Sequence, residues 1–134
     1  MESNPIIAEI DLAHTAANFA LKNKDFNSYI NYFSNDLQYK QLNGKTIDKK
    51  QLSKDTQQYF SRIKNYTGKY QRLNFTFDNG IFTETLIQQA TVAIRIFIFF
   101  TKHWTVERKG IYKWRKENST WQITDVIIMN EKIS

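Results

Sequence analysis

The sequence predicts an α+β fold, in which three N-terminal helices pack into the concave face of a strongly curved, mixed and mostly antiparallel sheet. Apolar residues recur at helical spacing through the first half of the 134 residues, and at every second residue from Lys69 onward. Helices and strands that come in separate blocks are typical of α+β folds. Because no repeat or linker-like segment interrupts them, we expect one domain over residues 1–134.

Helical spacing covers three segments, which are residues 5–23, 25–33 and 48–64. Pro5 suits the first position of the first helix, and Asp25 can cap the second helix. Asp48 and Gln51 have the spacing of a capping box at the start of the third helix. Between the second and third helices, residues 36–42 alternate as a strand does and end at a turn.

Alternation predicts four long strands, which are residues 69–78, 85–100, 104–117 and 121–130. Asn79-Gly80 and Asn118-Ser119 are turn dipeptides between them, and His103 is expected in the turn between the second and third of these strands. Several strands exceed the usual length of about five or six residues, which favours a sheet curved around the first helix. Gly110 lies in mid-strand and is a candidate bulge or bend.

A two-residue turn at Asn118-Ser119 sets the register of the last hairpin. It pairs Trp114 with Ile123, Tyr112 with Asp125, Gly110 with Ile127 and Arg108 with Met129. We assign this face to the interior beneath the helices. The opposite face has a basic end and an apolar end, which contains Ile111, Val126 and Ile128, with Phe97 and Phe99 nearby. Because an apolar patch away from the helices marks an interface, we expect a homodimer through the outer sheet face.

The composition excludes several classes of protein. With no cysteine, the chain has no disulfide, no thiol nucleophile and no cysteine-based zinc site. The net charge is +6, from 19 basic and 13 acidic residues, but the charges are spread along the chain. We interpret the basic end of the outer face as a solvated surface, and nucleic-acid binding there as the least favoured function. No segment is predicted to span a membrane and no secretory signal is recognised, so we expect a cytoplasmic protein, and the lysine-rich composition favours a bacterial source.

Three segments resemble the nuclear transport factor 2-like superfamily, the cone-shaped α+β fold of ketosteroid isomerases and polyketide cyclases. The first is Lys22–Asp36, with its capped short helix and Ser34-Asn35-Asp36. The second is Gly44–Asp48, and the third is Gly110–Glu117 leading to Trp121-Gln122-Ile123. The resemblance covers nearly the whole chain. It implies a conical pocket between the first helix, the third helix and the concave sheet face, and frequent dimerisation.

The resemblance also implies where an isomerase would have its catalytic groups. Ketosteroid isomerases use a carboxylate base and an oxyanion hole that contains a tyrosine. Alignment on Phe33–Asp36 places Gln41 at the position of the base and Ala17 at the position of the tyrosine. Glutamine cannot accept a proton near neutral pH, so ketosteroid isomerase activity is not expected. The superfamily also contains dehydratases, cyclases, hydrolases and members without catalysis, and the fold alone does not choose among them.

Eight residues are candidates for a site. Asp125 is a candidate general base, with a structural partner of Tyr112 or Arg108 as the alternative interpretation. His14, at the edge of the apolar stripe of the first helix, is either a base or a packed, hydrogen-bonded histidine. Arg108 could bind an anionic group or form an internal ion pair. The remaining candidates are expected to line a pocket for a flat apolar or anionic molecule, and they are Tyr39, Gln41, Tyr59, Tyr112 and Trp114.

The sequence therefore leaves two functions open. One is a small-molecule-binding pocket protein, which could be an enzyme if Asp125, His14 and Arg108 face one cavity. The other is a non-catalytic dimeric binding or scaffold module of the same fold. The two histidines are far apart and belong to no cluster with metal-ligand spacing, so we expect no metal and no cofactor.

Overall fold

Three helices and six strands make up the part of the chain that the structure, a computed structural model, describes, namely residues 4–97 and 100–134. The helices are α1 (Asn4–Lys22), α2 (Phe26–Ile30) and α3 (Lys49–Arg62). The strands are β1 (Phe33–Lys40), β2 (Thr46–Ile47), β3 (Ile63–Asp78), β4 (Ile81–Phe97), β5 (Phe100–Glu117) and β6 (Thr120–Ile133). The described helices include none that is long and apolar enough to cross a membrane.

The six strands form one sheet in the order β2-β1-β6-β5-β4-β3. Neighbouring strands are antiparallel, except that β1 runs parallel to β6. Helix α1 contacts β3 and β6, and α3 contacts β1 and β4, so the helices cover one face of the sheet. The predicted α+β class, with a mixed and mostly antiparallel sheet, is confirmed.

Helix caps and hairpin turns form where local sequence predicts them. The carboxylate of Asp25 accepts a hydrogen bond from the Ser28 backbone, and that of Asp48 accepts one from the Gln51 backbone. The capping box of α3 is only half formed, because the Gln51 side chain donates to Asp55 instead. The two predicted turns contain consecutive residues with positive φ, which are Asn79, Gly80, Asn118 and Ser119. Such pairs match the twist of an antiparallel hairpin.

The strands begin earlier than the sequence suggests. Helix α2 ends at Ile30, so Phe33 lies in β1 and not in the helix. Strand β3 follows α3 directly, and β4 begins at Ile81. The predicted turn at His103 is wrong, because His103 is an exposed residue within β5 opposite Ala93. The last described pair of the β4–β5 hairpin is formed by residues 97 and 100.

The register of the last hairpin is correct only near its turn. Trp114 pairs with Ile123 as predicted, but an extra residue at Thr124 shifts the partners that follow, so Asp125 pairs with Lys113 and not with Tyr112. Such a bulge exchanges the two faces of the strand beyond it. Without the bulge, the Asp125 carboxylate would be buried in the core and the Val126 side chain would be exposed on the outer face. Both changes are unfavourable, because a buried charge loses its hydration and an exposed valine loses its apolar burial.

A second bulge restores the original phase. It lies opposite Gly110, the residue predicted as a bulge or bend, and its extra residue is Met129 of β6. A methyl group at Gly110 would lie 3.1 Å from the Ile127 carbonyl oxygen, so glycine allows the strands to approach here. Arg108 therefore pairs with Glu131. The sequence predicted Met129 as its partner, so that prediction is wrong.

These bulges change the composition of the outer sheet face. Val126 and Ile128, predicted to belong to an outer apolar patch, are buried in the core. Their places are taken by Ile127, which pairs with the outer residue Ile111, and by the half-exposed Met129. Phe99, also assigned to the patch, lies outside the described residues.

Candidate functional site

A cavity of about 890 Å³ lies between α1, α3 and the inner face of the sheet. Seven of the eight candidate residues line it, and they are His14, Tyr39, Gln41, Tyr59, Arg108, Tyr112 and Trp114. Ala17 also lines it, so both positions at which an isomerase would have its base and tyrosine face this space. Most of the remaining lining is apolar or aromatic, which suits an organic molecule better than a strongly hydrated ion.

Asp125 is the exception among the candidates. Because it pairs with Lys113, it lies on the outer face of the sheet, while the neighbouring Tyr112 and Trp114 point into the cavity. The prediction that Asp125 lies in the wall of the pocket is therefore wrong. On that face it interacts electrostatically with Arg115.

The carboxylate that His14 binds is Glu84, which sequence reasoning missed. Nε2 of His14 lies 2.7 Å from Oε2 of Glu84, and Glu84 is completely buried. The same oxygen accepts a hydrogen bond of 2.7 Å from Nε1 of Trp114. The other oxygen, Oε1, accepts one of 2.9 Å from Nε of Arg72. Three donors from one helix and two neighbouring strands thus satisfy the buried carboxylate.

This arrangement determines which nitrogen of the neutral His14 ring bears the proton. Arg72 is always charged and forms an ion pair with Glu84, and a carboxylate in an ion pair accepts hydrogen bonds. Nε2 of His14 must therefore donate, and Nδ1 has a free lone pair. Nδ1 makes no hydrogen bond to the described residues. It is also not among the polar side-chain atoms of those residues that are both buried and without a hydrogen-bond partner. Because His14 lines the cavity, Nδ1 is reached from there.

Arg72 extends the network toward the surface. Its NH2 group lies 2.8 Å from Oδ1 of Asp11, and the Tyr70 hydroxyl donates to the same oxygen at 2.6 Å. The Tyr70 ring packs on the His14 ring, with centroids 4.3 Å apart. Burial alone would raise the pKa of Asp11, but the hydrogen bonds from Tyr70 and Arg72 outweigh it and lower the pKa. The network therefore holds His14 in place through both its ring face and its Nε2.

The lowered pKa of Asp11 predicts a pH-dependent contribution to stability. Folding favours the ionised carboxylate, so its contribution is fully present above the ordinary pKa of 3.8 and is lost as the pH falls through the lowered folded-state value. We expect Asp11→Asn to reduce the free energy of unfolding at neutral pH and to have less effect below about pH 4. Urea unfolding of both proteins across this range measures the difference. A difference that stays constant down to about pH 2 contradicts the ion-pair geometry.

A second polar cluster surrounds Arg108. Its Nε and NH2 groups bind Oε2 of Glu131 at 2.8 and 2.7 Å, while NH1 makes only a long contact of 3.5 Å to the Tyr39 hydroxyl. Burial opposes the charge of Arg108, but its tyrosine neighbours and Glu131 more than compensate and raise its pKa. The internal ion pair considered from sequence is thus present, and it leaves one edge of the guanidinium open.

Five tyrosines lie within electrostatic reach of Arg108, and they are Tyr29, Tyr39, Tyr59, Tyr66 and Tyr112. Burial raises the pKa of each phenol, and that of Tyr59 reaches about 12. The Tyr112 hydroxyl donates to the Gln88 side chain at 2.6 Å. The phenols therefore remain neutral hydrogen-bond donors at any physiological pH. Among the described residues, no three His, Asp or Glu side chains are placed to hold a metal ion.

Comparison with known proteins gives structural matches only. No protein-family model and no curated protein matches the sequence. A conserved protein from Planctomyces limnophilus DSM 3776 is similar at a TM-score of 0.79 and 10% identity, over 93% of this chain and 98% of that chain. A candidate scytalone dehydratase from Novosphingobium aromaticivorans DSM 12444 is similar at a TM-score of 0.80 and 7% identity, over 98% and 89%.

A third match names the fold family directly. A candidate dehydratase of the NTF2-like family from Streptomyces avermitilis is similar at a TM-score of 0.71 and 9% identity, over 94% of this chain and 96% of that chain. At such low identities these likenesses establish the fold and leave the activity open. Together with the mixed sheet and the helices on its inner face, they show that the chain has the nuclear transport factor 2-like cone fold.

Proposed function

We propose that this protein binds a small, largely apolar organic molecule in its cavity and that His14 acts on it as a general base. The observation that supports this most directly is the His14–Glu84 pair, since it occupies Nε2 and leaves Nδ1, on a ring that lines the cavity, without a partner among the described residues. A base needs a free lone pair within reach of the proton that it removes.

The buried carboxylate would stabilise His14 after it has taken a proton. Imidazolium formation in an apolar cavity is costly, but Glu84 lies 2.7 Å from Nε2 and would then face a full positive charge. This division of roles, with a base oriented by a carboxylate, follows the logic of catalytic dyads and triads. The reaction class is proton abstraction from carbon, which leads to isomerisation or elimination. Likeness to a candidate scytalone dehydratase supports the elimination branch.

The proposal is tested by hydrogen exchange on a bound probe. 2-Tetralone is flat, fits the cavity and has acidic C–H bonds beside its carbonyl. We expect the protein to accelerate exchange of these hydrogens in D₂O, and His14→Gln to reduce that acceleration by about 10²- to 10⁴-fold. His103→Gln is the matched control and should exchange as the wild type does, because His103 is exposed on β5.

Two results would count against the proposal. If His14→Gln accelerates exchange as well as the wild type, His14 is not the base. If neither 2-tetralone nor a panel of flat apolar carbonyl compounds raises the melting temperature, the cavity does not bind this class of molecule.

We also propose a homodimer through the outer sheet face. The alternative function, a non-catalytic binding or scaffold module, would use the same dimer. Ile111 and Ile127 are paired there, and Ile127 and Met129 are 38% and 48% exposed. Ile127→Lys is expected to convert the dimer into a monomer in light scattering after gel filtration, because it places a charge in the centre of the apolar patch. Leu12→Lys is the control, since Leu12 is exposed on α1, away from the sheet. A wild type that runs as a monomer would refute the dimer.

A further inference from the structure

The cavity has two polar ends. Gln88 of β4 and Arg108 of β5 are direct neighbours in the sheet, and Glu84 lies four residues earlier on β4. At about 3.3 Å per residue, the backbones of Gln88 and Glu84 are therefore about 13 Å apart, with Arg108 beside Gln88 and His14 bound to Glu84. The residue between them on the same face of β4, Leu86, offers no charge. A molecule that occupies the cavity lengthwise would meet the base at one end and the guanidinium at the other.

Only part of the Arg108 guanidinium is bound by other groups of the protein. Glu131 binds Nε and NH2, but NH1 has no partner closer than the Tyr39 hydroxyl at 3.5 Å. Arg108 lines the cavity, and 36% of its side chain is exposed, so NH1 is open to a ligand. An edge of a guanidinium that faces an apolar cavity is a strong donor to an anionic oxygen.

Phenol donors without a protein partner line the same cavity. Tyr29, Tyr59 and Tyr66 line the cavity, and their hydroxyls make no hydrogen bond to any described residue. All three lie within electrostatic reach of Arg108. The cavity is therefore lined by three phenol hydroxyls and one guanidinium edge that have no close partner in the protein. Together these groups form a site rich in hydrogen-bond donors. Ordinary core tyrosines would have found partners within the protein.

We propose that this cluster binds an anionic oxygen of the ligand, of which a carboxylate is the simplest example. The ligand is then an elongated aromatic or alicyclic acid, with its acidic group at Arg108 and its reacting carbon at His14. This inference rests on the proposed function and adds the ligand's charge and its orientation. It also gives Glu131 a role: by neutralising part of the Arg108 charge, Glu131 limits how tightly the anion is held.

A matched pair of probes tests the inference. Biphenyl-4-carboxylate and biphenyl-4-methanol have the same apolar body and differ in charge. We expect the carboxylate to bind about tenfold more tightly to the wild type, as measured by calorimetry. Arg108→Gln should abolish this preference, while Glu131→Gln should increase it, because the Arg108 charge is then uncompensated. A merely structural ion pair would not give these opposite effects.

The double variant Arg108→Gln/Glu131→Gln guards against misfolding, since it leaves neither charge unpaired. It should bind both probes equally. The inference is overturned if the wild type binds both probes with equal affinity or if Glu131→Gln weakens the binding of the carboxylate. In either case the alcohol still reports a working cavity, so the proposed function stands. If neither probe binds to the wild type, the proposed function fails together with the inference.

Discussion

Replacement of Glu84 by alanine is expected to lower the free energy of unfolding by about 3–5 kcal/mol. Glu84 is completely buried and accepts hydrogen bonds from His14, Trp114 and Arg72. Its removal would leave a guanidinium, an indole N–H and an imidazole N–H without their shared acceptor in the interior. Arg72 would keep only Asp11 as an ion-pair partner. Urea unfolding followed by circular dichroism at neutral pH measures the loss.

Glu107→Ala is the matched control for this variant. Glu107 is an exposed glutamate of the same sheet, and its hydrogen bond to Gln89 lies in solvent. Exposed polar pairs contribute about 0–1 kcal/mol, so the control should be close to the wild type. If Glu84→Ala is no more damaging than Glu107→Ala, the carboxylate does not organise the cluster and the tautomer argument for His14 fails with it.

The second large effect is expected at Trp114. This side chain is 0% exposed, and it combines a large apolar surface with the indole N–H that binds Glu84. Trp114→Ala should cost about 3–5 kcal/mol through the cavity that it leaves. Trp114→Phe keeps an aromatic ring but removes the hydrogen bond to the charged group and leaves a smaller cavity, so it should cost at least about 1.5–3 kcal/mol, the contribution of that bond.

Trp104 provides the comparison within the same strand. Its ring also borders the cavity, but it is only half-buried and lies beneath the ammonium group of Lys102, 4.2 Å from the ring centroid. We expect Trp104→Phe to be nearly neutral, because no buried acceptor loses its donor. Equal losses for the two Trp→Phe variants would contradict the assigned role of the Trp114 N–H.

The α+β class could be predicted because it depends on periodicity, whereas the cone and its pocket were implied by the resemblance to the nuclear transport factor 2-like superfamily. Glu84 could not be predicted, because the alternation predicts a strand only from Thr85 and leaves Glu84 outside it. Its signal is visible once the strand is known to start at Ile81. Glu84 then lies in phase with Phe82 and Leu86, both fully buried, and a carboxylate in the apolar phase of a strand must have partners in the core. The partner residues Arg72 and Asp11 are distant in sequence, so no local pattern joins them.

Asp125 illustrates the opposite error. Alternation was extended through β6 without interruption, and one extra residue at Thr124 was enough to exchange inside and outside. Bulges of this kind have no strong local signature when they contain no glycine. The sequence held a tertiary clue, however, since an uninterrupted register buries Asp125 and exposes Val126. Weighing the cost of that exchange would have favoured the bulge.

The parallel pairing of β1 with β6 has a consequence for how the chain is made. Phe33 pairs with Ile123 and Lys40 pairs with Ile127, so β1 lacks its main partner until most of the chain has left the ribosome. Until then, α1, α2 and β1 have no concave sheet to cover, and their apolar surfaces stay accessible to chaperones and to other chains. Strands β3, β4 and β5 are antiparallel, and each pairs with the strand that follows it in the sequence. This three-stranded segment can form first and serve as the template on which the earlier-synthesised helices later dock.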